Sequence, residues 1–286
     1  MLDKALAERR AKGGKDTLDT IIDLYRQSPE FTSKKPNTQR EYRLRLDQIS
    51  AQFGKVPIRF FNGPDIRREI ILWRDGLANT PRAADRCVGM LSTVLSWAQS
   101  RTIVNQNAAA EIDKLHRVNR ADLIWEARHW DAVKNVPGHI YRVLLLASLT
   151  GLRIGDLLAL TWEQVTPDYI DVDTQKTGAM ATIPMHAELR RFLVGPGKGP
   201  ILRTTRMEAW TPDGWQSSWR KAKPDGFDRK VHDLRGTFVT RLMVAGISDA
   251  EIATITGWQT ERIATIRARY VDRGRAARAM AERMGR

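Results

Sequence analysis

Apolar residues recur at helical spacing through the first part of the chain. After Pro36, the residues Tyr42, Leu46, Ile49 and Phe53 are separated by four, three and four positions, which places their side chains on one face of a helix. Proline, glycine and small polar residues interrupt such stripes and mark where helices start and stop. The pattern predicts helices that begin near residues 17, 38, 64 and 80, followed by a short fifth helix over residues 108–115. Together these helices would form an all-α bundle.

The second half of the chain mixes a buried helix with alternating stretches. Residues 140–149 are apolar almost all round, which predicts a helix that is buried on most sides and ends at Gly151. Residues 169–173 and 181–185 alternate between apolar and polar positions and predict two strands. The turn residues between the strands indicate a hairpin with Lys176 near its tip.

The C-terminal part returns to helical spacing. Ser248 and Glu251 have the spacing of a capping box, and Gly257 is placed to end the helix that they start. An Ala- and Arg-rich tail over residues 275–284 predicts one more helix, and the apolar face of that helix has no evident partner within the chain.

Residues 116–123 lack a sustained apolar period and separate the two patterns, so they predict an exposed linker. We therefore expect a flexible basic N-terminus over residues 1–15, a helical domain over residues 16–115, the linker, and a second domain over residues 124–286.

Composition narrows the choice of partner and compartment. The 286 residues include 47 Lys and Arg against 33 Asp and Glu, which gives a formal net charge of +14 and a pI near 10.2. This excess favours a polyanionic partner, because each neutralised phosphate releases condensed counterions. Cys87 is the only cysteine, so the chain cannot form an intramolecular disulfide. The longest apolar run, residues 143–147, is too short to cross a bilayer. We expect a reducing, cytoplasmic location and no membrane partner.

The sequence lacks the motifs of several common chemistries. It contains no P-loop, no Gly-rich dinucleotide fingerprint and no His-Glu-x-x-His motif, and its five histidines show no metal-ligand spacing. We therefore expect no metal and no cofactor. The residue types that remain suit a phosphate group. Arg153 follows the helix-ending Gly151, and Lys176 lies on the predicted hairpin. His232 and Arg235 are three positions apart and share one helix face.

Five sequence blocks then carry a resemblance. In chain order they are residues 150–162 (TGLRIGDLLALTW), the Lys176 hairpin, residues 231–238 (VHDLRGTF), residues 256–258 (TGW) and Tyr270. In this order and at this spacing they resemble the signature blocks of the tyrosine recombinase (phage integrase) family. The resemblance implies a mainly α fold. It would consist of an N-terminal helical core-binding (SAM-like) domain and a mixed, mostly helical catalytic domain with a small antiparallel β-hairpin.

The resemblance also implies a transesterification on double-stranded DNA that needs neither metal nor ATP, with Tyr270 as the nucleophile that forms a 3′-phosphotyrosyl link. Arg153 and Arg235 would stabilise the extra negative charge on the oxygens of the attacked phosphate, because a guanidinium stays positively charged and bonds two oxygens at once. His232 would donate to the same phosphate or take the proton of the tyrosine. Asp156 would pair with Arg153 or another cation and hold the cluster in position.

Two further residues receive roles from the resemblance. Lys176 would protonate the departing 5′ oxygen, and Trp258 would offer its single indole donor where many members carry His. Tyr270 lies twelve positions after Trp258, which is a longer spacing than the commonest one in the family. Tyr270 is nevertheless the only tyrosine after Tyr169.

For the assembled protein, the resemblance implies a bacterial or phage-encoded, nucleoid-associated recombinase. It would act as a homotetramer on two DNA sites, with C-terminal tails exchanged between neighbours. The need for an accessory DNA-bending protein stays open. So do three alternative functions: a type IB topoisomerase-like enzyme that relaxes DNA, a non-catalytic DNA-binding protein on the same scaffold, and a helical RNA-binding protein.

Overall fold

The computed structural model describes residues 16–116, 123–176, 178–194, 197–261, 263–264, 267 and 280–284. The chain divides into two compact units, Met1–Val118 and Asn119–Arg286, here called unit 1 and unit 2. The predicted N-terminal segment over residues 1–15 and residues 117–122 of the predicted linker lie outside the described residues.

The described part of unit 1 is helical and is built around the predicted apolar stripes. Leu46 and Ile49, from the apolar stripe that follows Pro36, are fully buried. So are the apolar residues of the other helices that pack in the same core. Proline stands at the first position of four of the helices. It is tolerated there because the backbone N–H at that position has no partner within the helix, so proline loses no hydrogen bond. The helices are α1 (Leu18–Gln27), α2 (Pro29–Thr32), α3 (Pro36–Phe53), α4 (Pro64–Gly76) and α5 (Pro81–Gln99), with a 3₁₀ turn over Ile58–Asn62.

The prediction of a fifth helix over residues 108–115 is wrong, because these residues form turns and irregular structure. Arg67 of α4 donates hydrogen bonds to the carbonyl oxygens of Ala108 (3.1 Å) and Ala110 (2.6 Å). Those carbonyls would otherwise accept the i+4 bonds of a helix. Glu111 has a φ of 53°, a left-handed conformation that a helix does not contain. A tertiary contact has therefore overridden the local propensity.

The same stretch is held at its far end by a carboxylate. Asp85 of α5 accepts hydrogen bonds from the backbone N–H groups of Leu115 (2.9 Å) and His116 (2.9 Å). Residues 108–116 are thus bound to the helices of unit 1 along their length, although they have no secondary structure of their own.

Unit 2 surrounds a buried helix with shorter helices and one hairpin. The two strands pair antiparallel, with Ile170 opposite Ile183 and Val172 opposite Ala181 on the buried face. The predicted fold class, mainly α with a small antiparallel hairpin in the second half, is confirmed. The elements are α6 (Ala127–Val133), α7 (Gly138–Thr150), α8 (Ile154–Ala159), β1 (Tyr169–Asp173), β2 (Met180–Pro184), α9 (Ala187–Phe192), α10 (Pro212–Ala222), α11 (Asp233–Val244) and α12 (Asp249–Thr256), with a 3₁₀ turn over Trp162–Gln164.

Two helices of unit 2 end at glycines, as predicted. The buried helix α7 ends at Gly151, whose φ is 62°, and α12 ends at Gly257, whose φ is 64°. The predicted capping box at the start of α12 is also present, with Ser248 and Glu251 each accepting a hydrogen bond from the other's backbone. Left-handed glycines let the chain turn sharply after each helix, and both turns lead into predicted site residues.

Of the predicted tail helix, residues 280–284 are described and are helical. The side chains of Met280 and Met284 are exposed there, and Arg283 lies against Gly246 of the same unit. Among the described residues, no helix has the length and hydropathy that spanning a bilayer requires.

Candidate active site

Arg235 joins three of the sequence blocks. Its side chain, on α11, is only 2 % exposed. Nη1 donates to the carbonyl oxygen of Gly151 (2.6 Å), and Nη2 donates to that of Thr256 (2.8 Å). The guanidinium carbon lies 4.6 Å from the centre of the Trp258 ring, within range for a cation–π contact. One cation therefore holds together the turn after α7, the turn after α12 and the start of α11.

His232 stands at the N-terminal end of α11 and is exposed to solvent. The pKa of its imidazole is lowered, first by loss of hydration among the surrounding protein atoms and then by the positive charges of Arg235, Arg153 and Lys176. The nearby carboxylate of Asp233 opposes this shift. These charges show that three cations from separate stretches of sequence are close enough to act on one imidazole.

Asp156 connects Arg153 to the base of the hairpin. Its carboxylate is buried, and Oδ1 accepts a hydrogen bond from the backbone N–H of Gln175 (2.8 Å). The other oxygen, Oδ2, lies 4.0 Å from Nη1 of Arg153. Because Gln175 directly precedes Lys176, the same carboxylate that faces Arg153 also fixes the backbone beside the lysine.

Lys176 itself lies in the turn between β1 and β2, and its side chain is exposed. Below it, the hydroxyl of Thr174 donates to the carbonyl oxygen of Ala179 (2.9 Å), which closes the base of the turn. A Cβ atom added to Gly257 would lie 3.0 Å from the carbonyl oxygen of Met180, so the hairpin packs directly against the turn that leads to Trp258. Lys176 thus extends into solvent from a turn whose base is fixed.

Trp258 packs against a small apolar cluster that includes Val239, Met243 and Ile252. Its ring also meets the guanidinium of Arg235. Tyr270, the predicted nucleophile, lies outside the described residues. The described residue nearest to it on its N-terminal side is Arg267, which hydrogen-bonds through Nη2 to the carbonyl oxygen of Ile247 (3.1 Å) and pairs with Asp249.

The geometry therefore brings six predicted residues into one neighbourhood of unit 2, linked by direct contacts or by their charges: Arg153, Asp156, Lys176, His232, Arg235 and Trp258. Two guanidinium groups, an imidazole, an ammonium and an indole N–H are the donors that suit a phosphate whose charge increases during reaction. Among the described residues, no three His, Cys, Asp or Glu side chains are arranged to hold a metal ion.

Comparison with known proteins connects this arrangement to DNA integrases. No protein-family profile matches the chain. The ICEBs1 integrase of Bacillus subtilis (strain 168) is 24 % identical over 177 residues, a match that covers 59 % of this chain and 47 % of the integrase. The chain thus spans about half the length of this curated relative.

Solved structures match over most of both chains. A crystal structure of lambda integrase, a dimer bound to a COC′ core site, superposes with a TM-score of 0.67 at 21 % identity, covering 85 % of this chain and 95 % of that one. The chain has the fold of a tyrosine recombinase. The Tn1549 transposon integrase, solved with circular intermediate DNA, gives a TM-score of 0.68 at 16 % identity and covers 93 % of this chain and 99 % of that one. The resemblance carried by the sequence blocks is confirmed.

Within this tyrosine recombinase fold, sequence reasoning missed what holds Arg235 in place. Gly151 and Thr256 contribute only their carbonyl oxygens, so their side chains give no sign of the contact. The available signal is positional: both residues lie at helix C-termini, where the last carbonyls lack partners within the helix and carry partial negative charge. Two predicted helix ends and one arginine on a nearby helix could have indicated the contact.

Proposed function

We propose that this chain is a site-specific DNA recombinase that cleaves and rejoins duplex DNA through a 3′-phosphotyrosyl intermediate. The observation that carries the proposal is the contact set of Arg235, which draws three sequence blocks around one buried cation. The names of the similar proteins support it, since they include integrases and structures of integrases bound to DNA. Unit 1 would be the core-binding domain and unit 2 the catalytic domain.

In the first step, the phenolic oxygen of Tyr270 attacks the phosphorus atom and forms the tyrosyl–phosphate bond while the bond from phosphorus to the 5′ oxygen breaks. The proton of the phenol passes to His232, whose lowered pKa keeps the imidazole neutral and able to accept it. Lys176, exposed on the hairpin, donates a proton to the departing 5′ oxygen. Attack by the 5′ hydroxyl of another strand reverses these steps and rejoins the DNA, so the energy of the bond is conserved without ATP.

The charge that builds on the non-bridging oxygens is stabilised by fixed donors. Arg153 and Arg235 supply guanidinium groups, and Trp258 supplies an indole N–H. Because these donors are held in place before the DNA arrives, little reorganisation is needed at the moment of reaction. Removing one of them would raise the barrier by about 3 kcal/mol, on the scale known for oxyanion-type donors.

Unit 1 offers a face suited to DNA. Arg82, Arg86, Gly89 and Thr93 follow one another at spacings of four, three and four along α5, and all four are exposed. A polar stripe of this kind on a helix fits the major groove, where side chains reach base edges and phosphates. We assign to this stripe part of the recognition of the DNA site.

The functional assembly would be a tetramer on two DNA sites. Lambda integrase has been solved as a tetramer bound to a Holliday junction, which supports this state for a chain of the same fold. In the free chain, Met280 and Arg283 line a small cavity beside Gly246 of their own unit. We propose that in the assembly the tail leaves this position and docks on a neighbouring protomer.

The groove lined by Trp130, Tyr141 and Phe192, with a volume of about 600 Å³, is the proposed seat of that tail. The groove is lined by as many arginines as glutamates, so its aromatic side chains rather than its charge would hold the tail. The aromatic side chains of the groove would pack against the methionines of the tail.

The deciding experiment looks for the covalent intermediate. The DNA that flanks the coding sequence in its genome is cloned into a supercoiled plasmid, incubated with the protein and quenched with detergent, and protein-linked DNA is collected. The wild-type chain should give an adduct, and Tyr270→Phe should bind the DNA with unchanged affinity but give none. Tyr169→Phe is the matched control, because it removes another tyrosine hydroxyl from unit 2 at an exposed position.

An adduct that persists in Tyr270→Phe would remove this residue from its role. Relaxation of the plasmid without any exchange between two cloned sites would point instead to a type IB topoisomerase. Tight binding with no adduct from the wild-type chain would indicate a non-catalytic DNA-binding protein.

A further inference from the structure

Trp125, which lies just after the described start of unit 2, is tied to both sides of the turn that carries His232. Its backbone N–H donates to Oγ1 of Thr237 (2.9 Å), five residues after the histidine. Its indole N–H donates to the carbonyl oxygen of Lys230 (3.1 Å), two residues before it. One residue thus spans the whole turn, although it is more than a hundred positions away in sequence.

The turn is closed by hydrogen bonds of its own. The hydroxyl of Thr237 donates to the carbonyl oxygen of Asp233 (3.0 Å) while it accepts from Trp125, so both its donor and its acceptor capacity are used. The carboxylate of Asp233 accepts from the backbone N–H of Lys230 (2.7 Å), and the backbone N–H of Asp233 donates to the carbonyl oxygen of Lys230 (2.9 Å). The turn that contains His232 is therefore closed by hydrogen bonds among four residues: Trp125, Lys230, Asp233 and Thr237.

Trp125 is itself held firmly. Its side chain is 4 % exposed, and its ring lies 5.1 Å from that of Phe227 and 5.2 Å from that of Trp130, measured between centres. The preceding carbonyl, that of Ile124, accepts a hydrogen bond from Nε of the buried Arg229 (3.0 Å). The anchor is rigid because packing and hydrogen bonding both fix it.

The position of the His232 side chain depends on this backbone. Within the part of the chain that the structure describes, no group hydrogen-bonds to the imidazole of His232, so no partner holds the ring directly. Its placement relative to Arg235 is then set by the backbone of the turn and by the rotamer of one side chain. A catalytic group held in this way loses its alignment when the supporting backbone loosens.

We propose that Trp125 and Thr237 are positioning residues for His232, and that they set its place relative to Arg153 and Arg235 by clamping both ends of the turn. The inference rests on the proposed function for its catalytic consequence, but the placement of the imidazole can be tested without it.

The first test uses adduct formation. Thr237→Val removes the hydroxyl without changing the size of the side chain, and the rate of adduct formation should fall by about 10- to 100-fold, the scale of a catalytic group misplaced by about 1 Å. DNA affinity should stay unchanged. Thr237→Ser, which keeps the hydroxyl, should restore most of the rate. Thr240→Val is the control. Thr240 lies one turn further along α11, and among the described residues its hydroxyl bonds only to the carbonyl oxygen of Gly236 (2.9 Å), so loss of this hydroxyl should leave the rate unchanged.

The second test needs no DNA. The pKa of His232 is followed by NMR titration of the free protein, with the signal assigned by its absence in His232→Asn. In Thr237→Val the imidazole should move away from Arg153, Arg235 and Lys176, whose positive charges lower its pKa, so the pKa should rise toward the ordinary value. Trp125→Phe keeps an aromatic ring but removes the indole donor and should act in the same direction. Trp210→Phe is the control, since the Trp210 indole is buried and makes no hydrogen bond with the described residues.

The proposal falls if Thr237→Val and Thr240→Val are alike in both the rate of adduct formation and the pKa of His232. If the wild-type chain forms no adduct at all, the proposed function fails, and the titration alone decides whether these residues position the imidazole. A rise in the pKa that Thr237→Ser reverses supports the proposal in either case.

Discussion

At the residue scale, Arg235 has a place that depends on the shape of its side chain as much as on its charge. A planar guanidinium can reach two carbonyl oxygens and still lie over an indole ring, as it does with Gly151, Thr256 and Trp258. Burial of this cation is tolerable only because those oxygens replace the water that it has lost. The residue is therefore expected to contribute to stability as well as to cleavage.

Arg235→Lys tests this dual role. An ammonium cannot make the same forked contacts, so one carbonyl is left without a partner and the free energy of unfolding should fall by about 1–3 kcal/mol. The rate of adduct formation should fall by about 100-fold or more. Arg241→Lys serves as the control, because Arg241 lies on the same helix but is 56 % exposed, with Glu188 as its partner. Denaturant unfolding and single-turnover cleavage measure the two effects, and equal stability of both variants would contradict the first.

The lowered pKa of His232 predicts a definite pH dependence. An imidazole with a lowered pKa stays neutral as the pH falls through about 6.5, the ordinary value, so the rate of adduct formation should stay level there and decline only at lower pH. The unfolded chain binds the proton first, so the contribution of His232 to the free energy of unfolding is lost as the pH falls from about 6.5 toward its lower folded value. Single-turnover rates and denaturant midpoints between about pH 5 and 8 measure both. This account would be contradicted if the wild-type rate halved by about pH 6.5 while the rate of His232→Asn stayed level there.

At the scale of elements, two helix ends place the site. Gly151 turns the chain sharply after the buried helix α7, so that Arg153 follows within two residues and the Gly151 carbonyl faces Arg235. The turn is crowded: a Cβ atom at Gly151 would lie 2.3 Å from the ring of Phe238. The left-handed φ strains any residue other than glycine, and the ring of Phe238 leaves no space for a Cβ atom.

Gly151→Ala should therefore lower the free energy of unfolding by about 2–4 kcal/mol, from the left-handed strain and the overlap with Phe238 together. Gly138→Ala, at the other end of α7, is the matched control, because a Cβ atom there meets nothing within 4 Å. That control should be neutral or slightly stabilising. Thermal or denaturant unfolding decides the matter, and similar values for the two variants would contradict the argument.

Sequence predicted those elements whose signals are local. The hairpin follows from alternation, α7 from its apolar run, and α12 from its capping box and closing glycine. Helix α10 (Pro212–Ala222) is absent from the predicted elements, although Thr211 caps it and proline begins it. The failed fifth helix had a local signal as well, but Arg67, more than forty residues away, took its carbonyl oxygens.

The site divides in the same way. The residue types at positions 153, 176, 232, 235 and 258 could be singled out from sequence blocks. What could not be predicted is the long-range bonding: the contact of Arg235 with Gly151 spans 84 positions, and that of Trp125 with Thr237 spans 112. Such contacts depend on how the helices pack, which the pattern of apolar positions does not specify.

At the scale of the whole molecule, the net charge of +14 predicts that DNA binding weakens as the salt concentration rises. Each phosphate contact releases counterions, so the logarithm of the affinity should fall linearly with the logarithm of the salt concentration. The slope should be the same for the wild-type chain and for Tyr270→Phe, since the tyrosine contributes no charge to binding.

Arg86→Ala should reduce the magnitude of that slope by about one, the value for the loss of a single phosphate contact. Arg86 lies on the exposed stripe of α5 and is 63 % exposed. Arg68→Ala removes an equal charge from α4, outside the stripe, and should leave the slope nearly unchanged. Fluorescence anisotropy at several salt concentrations measures both, and equal slopes for the two variants would show that the stripe does not contact DNA.

The strap over residues 108–116 decides where the molecule can be cut for further work. A fragment of unit 1 that stopped before residue 108 would strip Arg67 and Asp85 of their backbone partners and uncover the apolar surface beneath Ala108 and Ala109. Such a fragment should aggregate or melt early. One that extends through residue 116 keeps every one of these bonds and is the shorter piece worth expressing alone.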